Sequence, residues 1–390
     1  MSRLLRWAAR LPAPVRHTLG RLRPLRRLRD RLAGRPAAPA PAPGSLRPVV
    51  YLPTWARWDV MRQRPQYLLA AFAAAGHPVY FVDPREPEAR VTAEGVRVVP
   101  DLTAVPGAGV LLYVHFAPVR TLFDRFDSAA VVYDVLDDLS IYEADETGVP
   151  AERRVAAHHP AVAASADVVI VSSPVLAGRH RGERADLVLV PNGVDHAAFS
   201  TAAPRPGDLP EGRPIAGYHG AVAAWFDFDL LAAVAGLRPD LDFVVVGPVA
   251  PEVRRRADEV AAAPNVHFLG ERPPAAMPGY VQGFTVGAIW FVVNDLTRAV
   301  TPLKLYEYLA AGKPCVSTPL PACREEAAAR TAATPDEFAA ALDAALAEAA
   351  DPAYAAAATA AGRSADWSHR LAPVLERLDH LGLRRVPEAP

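Results

Sequence analysis

Apolar residues run through this chain in short unbroken blocks. In the first half these are VVYL at 49–52, VYFV at 79–82, VLLYV at 110–114, AVVYD at 130–134, VVIV at 168–171 and LVLV at 187–190. A strand covered on both faces shows no alternation, so these blocks read as buried strands of a parallel sheet. The second half repeats the rhythm at 215–219, 243–246, 266–269, 286–290 and 314–317. Between the blocks, apolar residues fall at helical spacing: over 62–75, over 152–165, in a run opened by Ser172, Ser173 and Pro174, and in two Ala-rich segments after Ala333. A last helix over 364–381 carries an apolar stripe of Trp367, Leu371, Val374, Leu375 and Leu378. Strand and helix in alternation predict an α/β fold with two doubly wound units.

The stretch 301–316, TPLKLYEYLAAGKPCV, is one helix-to-strand step of the second unit. Pro302 suits a helix entry, Gly312 a C-terminal stop, and a β-branched residue follows. Lys304 and Glu307 lie three apart, on one face of the first two turns. A helix N-terminus attracts anions through its free N–H groups, and a lysine there deepens a phosphate site. A carboxylate one turn on is suited to accept two hydrogen bonds from a ribose diol. The plainer alternative is a surface i,i+3 ion pair contributing ~0.2–0.5 kcal/mol.

Strand ends in such sheets face the ligand crevice, which directs attention to their carboxyl ends. His115 and Asp134 end two strands, and Gly217, His219 and Gly220 surround a small turn where backbone could approach a diphosphate. After the first strand, a loop with Trp55 and Trp58 leads to Arg62, Arg64, Pro65 and Gln66, an expected anion site or a cap on the sheet edge. Asp134, Asp137, Asp138 and Glu143 cluster around one turn and suit either acceptor recognition or helix capping. Asn192 and Gly193 form a turn after the 187–190 strand, and a Pro/Gly-rich linker over 201–213 marks a boundary.

These words resemble a known family. PLKLYEYLAAGKP is similar to the C-terminal signature of retaining, family-4-like glycosyltransferases of the GT-B fold, in particular the teichuronic-acid-type transferases. The R-x-R-P-Q run at 62–66 and the segment YDVLDDLSIYE resemble the same group. The resemblance implies two Rossmann-like domains facing across a cleft, a final helix crossing back to the first domain, and no tightly held metal or cofactor. It implies that Glu307 binds the ribose of a nucleotide-sugar donor and that the Asn192 turn lines the cleft. The family's other motif Glu, eight residues earlier, is Ala299 here, and AVAAWFDFDLL lacks the Arg and Lys that many members place after the first strand of the second domain. Arg298 and Lys304 are the expected substitutes.

Composition changes the picture mainly at the N-terminus. The chain has 390 residues and a net charge of -1, which argues against a general nucleic-acid binder. Its two cysteines, Cys315 and Cys323, lack metal-ligand spacing and fit a reducing cytoplasm. Residues 1–35 hold eleven arginines against Asp30, interleaved with Leu and Trp7. They read as a basic amphipathic arm for an anionic membrane surface or as a basic tail, and no stretch is apolar enough for a spanning helix. The Pro/Ala segment 37–44 reads as a spacer with folding to start near Leu46.

The expected organisation is an arm and linker over 1–45, an acceptor domain over 46–200, a donor domain over 213–362 and a crossing helix over 363–382. The expected function is transfer of a sugar from a nucleoside-diphosphate donor to an envelope or exopolysaccharide acceptor, with retention, at the inner face of the plasma membrane. Lys304, Arg298, His115 and Asp138 are the candidate catalytic residues. Glu307, Lys304, Thr301, Pro302, Leu303, Gly220 and His219 are the candidate donor contacts, and Arg62, Arg64, Gln66 and Asn192 the acceptor or phosphate contacts. The rival readings are a nucleotide-sugar-binding scaffold without turnover, favoured by Ala299, and a 2-epimerase or phosphorylase on the same fold.

Overall fold

The computed structural model describes residues 35–54, 56–60, 62–127, 129–140 and 154–388. Residues 1–34 of the expected arm over 1–35, Trp55, Glu143 and the first two residues of the 152–165 helix lie outside them. The described chain forms two compact units, residues 35–191 with 367–388, and residues 192–366.

In the first unit the order is β1 (Val49–Tyr51), α1 (Arg64–Ala74), β2 (Val79–Val82), β3 (Arg90–Val91), β4 (Arg97–Val99), β5 (Leu111–Val114), a 3-10 stretch (Ala117–Arg125), β6 (Ala130–Val135), α2 (Val155–Ser165), β7 (Val168–Val171), α3 (Pro174–His180) and β8 (Val188–Leu189). The second unit runs α4 (His196–Ser200), β9 (Ile215–His219), α5 (Phe228–Leu237), β10 (Asp242–Val246), α6 (Arg254–Val260), β11 (Val266–Gly270), α7 (Met277–Gly283) and β12 (Val286–Ile289). It continues through α8 (Asp295–Arg298), α9 (Leu303–Ala310), β13 (Cys315–Ser317), α10 (Pro321–Glu325), β14 (Ala329–Thr331), α11 (Pro335–Ala349) and α12 (Pro352–Ser364). The last helix, α13 (Trp367–His380), belongs to the first unit, where it packs on α1 and β7 and stacks Trp367 on Tyr67.

The first sheet is ordered β3-β4-β2-β1-β5-β6-β7-β8, parallel except that β3 runs antiparallel to β4. The second is β11-β10-β9-β12-β13-β14 and is parallel throughout. Each order turns back beside its first strand, between β1 and β5 and between β9 and β12. Such switch points open a crevice at the strands' carboxyl ends. The uninterrupted apolar blocks are buried on both faces, with Val49, Val50, Leu111, Leu112 and Val132 fully inaccessible. Residues of the second unit's core include Trp290 stacked on Phe338 at 4.3 Å between centroids.

Three of the sequence expectations change. The strands β3, β4 and β14, of two or three residues, carry no apolar block and were not anticipated. The 62–75 helix starts at Arg64, with Gln63 as its cap and Pro65 in the first turn. The 37–44 segment is no free spacer. Ala38 N–H donates to Val105 O (3.2 Å), Gly44 N–H to Val386 O (2.9 Å) and Arg47 N–H to Arg384 O (3.0 Å), while Arg385 Nη1 donates to Gly44 O (2.8 Å). Proline and alanine build no core, but backbone groups seek partners regardless of side chain, and this strap finds them on its own unit.

Candidate functional site

The second unit gathers four of the candidate donor residues at its switch point. β9 ends on Tyr218 and His219, and Gly220 turns the chain at φ +120°. That turn is held from behind: Gly220 N–H donates to Val246 O (2.9 Å), and a Cβ on Gly247 would lie 2.0 Å from Gly220 O. The Gly220 amide is therefore spent on the fold and is not a phosphate donor. Gly217 serves packing, since a Cβ there would run into the Phe284 ring at 2.2 Å.

Helix α9 brings the other half. Pro302 precedes Leu303 with extended backbone, and the helix ends at Gly312 in the left-handed region, φ +69°, as a C′ glycine does. Before the helix, Asn192 Nδ2 donates to Thr301 O (2.7 Å), fixing where its N-terminus begins. Asn192 is thus a brace within the second unit.

Lys304 reaches back over the Gly220 turn. Its ammonium lies 4.9 Å from the Tyr218 ring centroid and 4.7 Å from that of Phe291, two cation–π contacts. Burial pushes its pKa down to about 8, with the Glu307 charge acting in the opposite direction. Glu307 is buried, and its Oε2 lies 3.1 Å from His219 Nε2. The ring nitrogen is off the line of a good hydrogen bond and has no such partner among the described residues. His219 is held by Tyr308 edge-on at 5.4 Å and by Phe199 at 6.5 Å. An ammonium, a carboxylate and an imidazole thus converge near the N-terminus of a helix, whose Leu305 N–H donates to Pro302 O (3.2 Å). Arg298 differs: it is exposed at the end of α8, with no side-chain partner among the described residues, and Ala299 beside it is buried.

In the first unit, the candidate anion residues are engaged with the protein. Buried Arg64 sets its Nε 2.8 Å from Asp134 Oδ2, and the Tyr113 hydroxyl donates to that same oxygen. Arg62 pairs with Glu94 (2.6 Å) and lies over the rings of Tyr67 and Trp58. Gln66 is a capping residue, accepting from Gln63 N–H (3.2 Å) and donating to Arg57 O (3.0 Å). Asp138 pairs with Arg179 and accepts from Ser140 N–H (2.9 Å). His115 stacks on Tyr51, whose hydroxyl lies 3.1 Å from its Nδ1, and burial pushes its pKa down to about 4, leaving a neutral imidazole at the switch point of β1 and β5. Past the end of β6, burial and the Asp134 charge push the Asp137 carboxyl up to about 7.

Sequence reasoning missed the aromatic bracket of Tyr218 and Phe291 around Lys304 and the pairing of Arg64 with Asp134. The second had a signal: an aspartate inside an apolar strand block requires a buried cation or donors.

Residues 213–348 match the family model described as glycosyl transferases group 1. The chain is 32% identical over 176 residues to a Bacillus subtilis (strain 168) protein named as the teichuronic acid biosynthesis glycosyltransferase TuaH, an alignment covering 44% of this chain and 43% of that protein. The chain thus spans less than half the length of that relative. Among solved structures, it is similar to the sucrose-phosphate synthase of Thermosynechococcus elongatus, with a TM-score of 0.62, 18% identity and coverage of 86% and 99% of the two chains. It is also similar to Alr3699/HepE of Anabaena in complex with UDP and glucose, with a TM-score of 0.59, 16% identity and coverage of 86% and 100%. These likenesses establish the fold, which is GT-B.

Proposed function

We infer, taking as premise a chain whose residues 213–348 are a glycosyl transferases group 1 domain, that the protein transfers a sugar from a nucleoside-diphosphate donor to an envelope or exopolysaccharide acceptor, with retention. The convergence of Lys304, Glu307 and His219 beside the start of α9 carries this reading. Glu307 accepts from the ribose diol. Lys304 and the N-terminus of α9 take the diphosphate, whose charge grows as it departs. Preorganised groups of this kind stabilise such charge by several kcal/mol without reorganising. Arg298, exposed and without a side-chain partner among the described residues, is the second cation. In the first unit, neutral His115 and the Asp137 and Asp138 carboxylates are the candidates for handling the acceptor hydroxyl. The acceptor attacks the face from which the diphosphate leaves.

UDP-sugars are the first donors to try, because the Anabaena neighbour is recorded with UDP and glucose. The test is product formation with a panel of labelled nucleotide sugars and a set of envelope glycans. Turnover with one donor supports the transferase. The rival reading, a nucleotide-sugar-binding component without turnover, draws on buried Ala299 where the family carries Glu. Tight nucleotide binding with no product from any donor would favour it.

A further inference from the structure

Away from these residues, in the first unit, α2 and the end of α3 bring together two imidazoles and a carboxylate. His159 Nε2 lies 2.9 Å from Glu183 Oε2, and His180 Nδ1 lies 3.0 Å from that same oxygen. The two rings are 4.9 Å apart, both are buried, and Glu183 is half exposed at the rim. The ligand atoms of all three lie within 4.8 Å of one another, and among the described residues no other histidine, cysteine or carboxylate trio does this.

We propose that His159, His180 and Glu183 form a binding site for a late first-row divalent cation, zinc foremost. A tetrahedral zinc with bonds of 2.0–2.1 Å sets its ligand atoms about 3.4 Å apart. Both nitrogen-to-oxygen separations are within half an ångström of that spacing. Two imidazole nitrogens with one carboxylate select zinc-like ions over magnesium or calcium, which prefer oxygen alone. The site has the outer support that metal-bound histidines need. The buried Tyr133 hydroxyl lies 2.9 Å from His159 Nδ1, so that Nδ1–H donates to it when Nε2 takes the metal. Glu183 also lines an open basin of about 750 Å³ with Asp186, Arg184 and Arg377, which gives solvent a route to the carboxylate side of the trio. Arg184, which follows Glu183 in the chain, is engaged elsewhere: it donates to Ala163 O and Ala166 O and pairs with Asp186. A cation here ties α2 to the end of α3 and, through Tyr133, to β6.

The simpler arrangement, two histidines sharing a carboxylate as a hydrogen-bonded clamp, makes a different prediction. The full chain is stripped with a chelator, dialysed and titrated with zinc sulfate by calorimetry, with magnesium chloride as control. One equivalent of zinc is expected with no magnesium binding, and zinc is expected to raise the melting temperature. Glu183→Gln and His180→Ala, each checked for cooperative melting without metal, are expected to weaken zinc at least tenfold. Tyr133→Phe is expected to weaken it by roughly 10- to 100-fold. Absence of stoichiometric binding, or zinc affinity unchanged in both ligand variants, overturns the proposal and leaves the clamp.

Discussion

Glu307 and Lys304 sit three residues apart yet face different tasks, and substitution separates them. Glu307 offers a charged acceptor already buried beside His219. Removing a charged hydrogen-bond acceptor costs ~1.5–3 kcal/mol, so Glu307→Ala is expected to weaken nucleotide binding by roughly ten- to a hundredfold. Calorimetry with the preferred nucleotide measures this, and unchanged affinity removes the ribose assignment. Lys304 acts on charge that grows in the transition state, so Lys304→Ala is expected to lower kcat more than it raises KM. Its depressed pKa adds a pH signature. With a value of about 8, the free enzyme loses this cation as pH rises through 8, and kcat/KM for the donor is expected to fall there. A bound diphosphate favours the ammonium, which shifts the same limb of kcat upward. The stability effect has the opposite sign: the folded pKa lies below the unfolded 10.5, so stability attributable to this group rises between about 8 and 10.5. A wild-type profile with no bend near 8, or one retained in Lys304→Ala, assigns the titration elsewhere. Asp134 is a residue of structure. Asp134→Asn leaves the Arg64 guanidinium buried without its counter-charge, and breaking such pairs costs ~3–5 kcal/mol, readable as a shift in urea midpoint.

At the scale of elements, what matters is where α9 begins. Its N-terminus is useful only if Thr301 and Pro302 hold the entry in place, and Asn192 does this through the Thr301 carbonyl. Asn192→Ala removes one hydrogen bond worth about 1 kcal/mol, so donor KM is expected to rise roughly fivefold with kcat little changed. An equal loss in both would make Asn192 part of the chemistry. The same element shows how far sequence carried. Lys304, Glu307 and Gly312 were legible because helix entry, face and stop are local rules. Strands such as β5 and β7 were legible because burial on both faces leaves an apolar block. The strands β3, β4 and β14 were not, since strands of two or three residues at or next to a sheet edge are too short to show a pattern of their own. Long-range pairing was the other gap: Arg64 is 70 residues from Asp134. The Tyr218 and Phe291 rings meet Lys304 only once β9 and β12 lie side by side.

For the whole molecule, the strap changes how the N-terminal arm is to be tested. Residues 38–47 are bonded to Val105 and to residues 384–386, so a chain that starts at Leu46 loses part of the first unit along with the arm. That cut removes the bonds of Ala38 and Gly44, about 0.5–1.5 kcal/mol each. A chain starting at Arg35 removes ten of the arm's eleven arginines and keeps the strap, and it is the cleaner comparison. The arm's arginines are expected to draw the full chain to anionic vesicles, each contributing ~1 kcal/mol near the surface, while Leu and Trp7 insert. The electrostatic share falls as the Debye length shrinks from ~10 Å at 0.1 M salt to ~3 Å at 1 M. Co-sedimentation with and without anionic lipid, at both salt levels, is expected to retain the full chain and release the one starting at Arg35. Turnover with a soluble acceptor is expected to be the same in both, because every candidate site residue lies after Arg35 in the sequence. Equal sedimentation of the two chains would leave the arm with no membrane role and direct attention to protein docking instead.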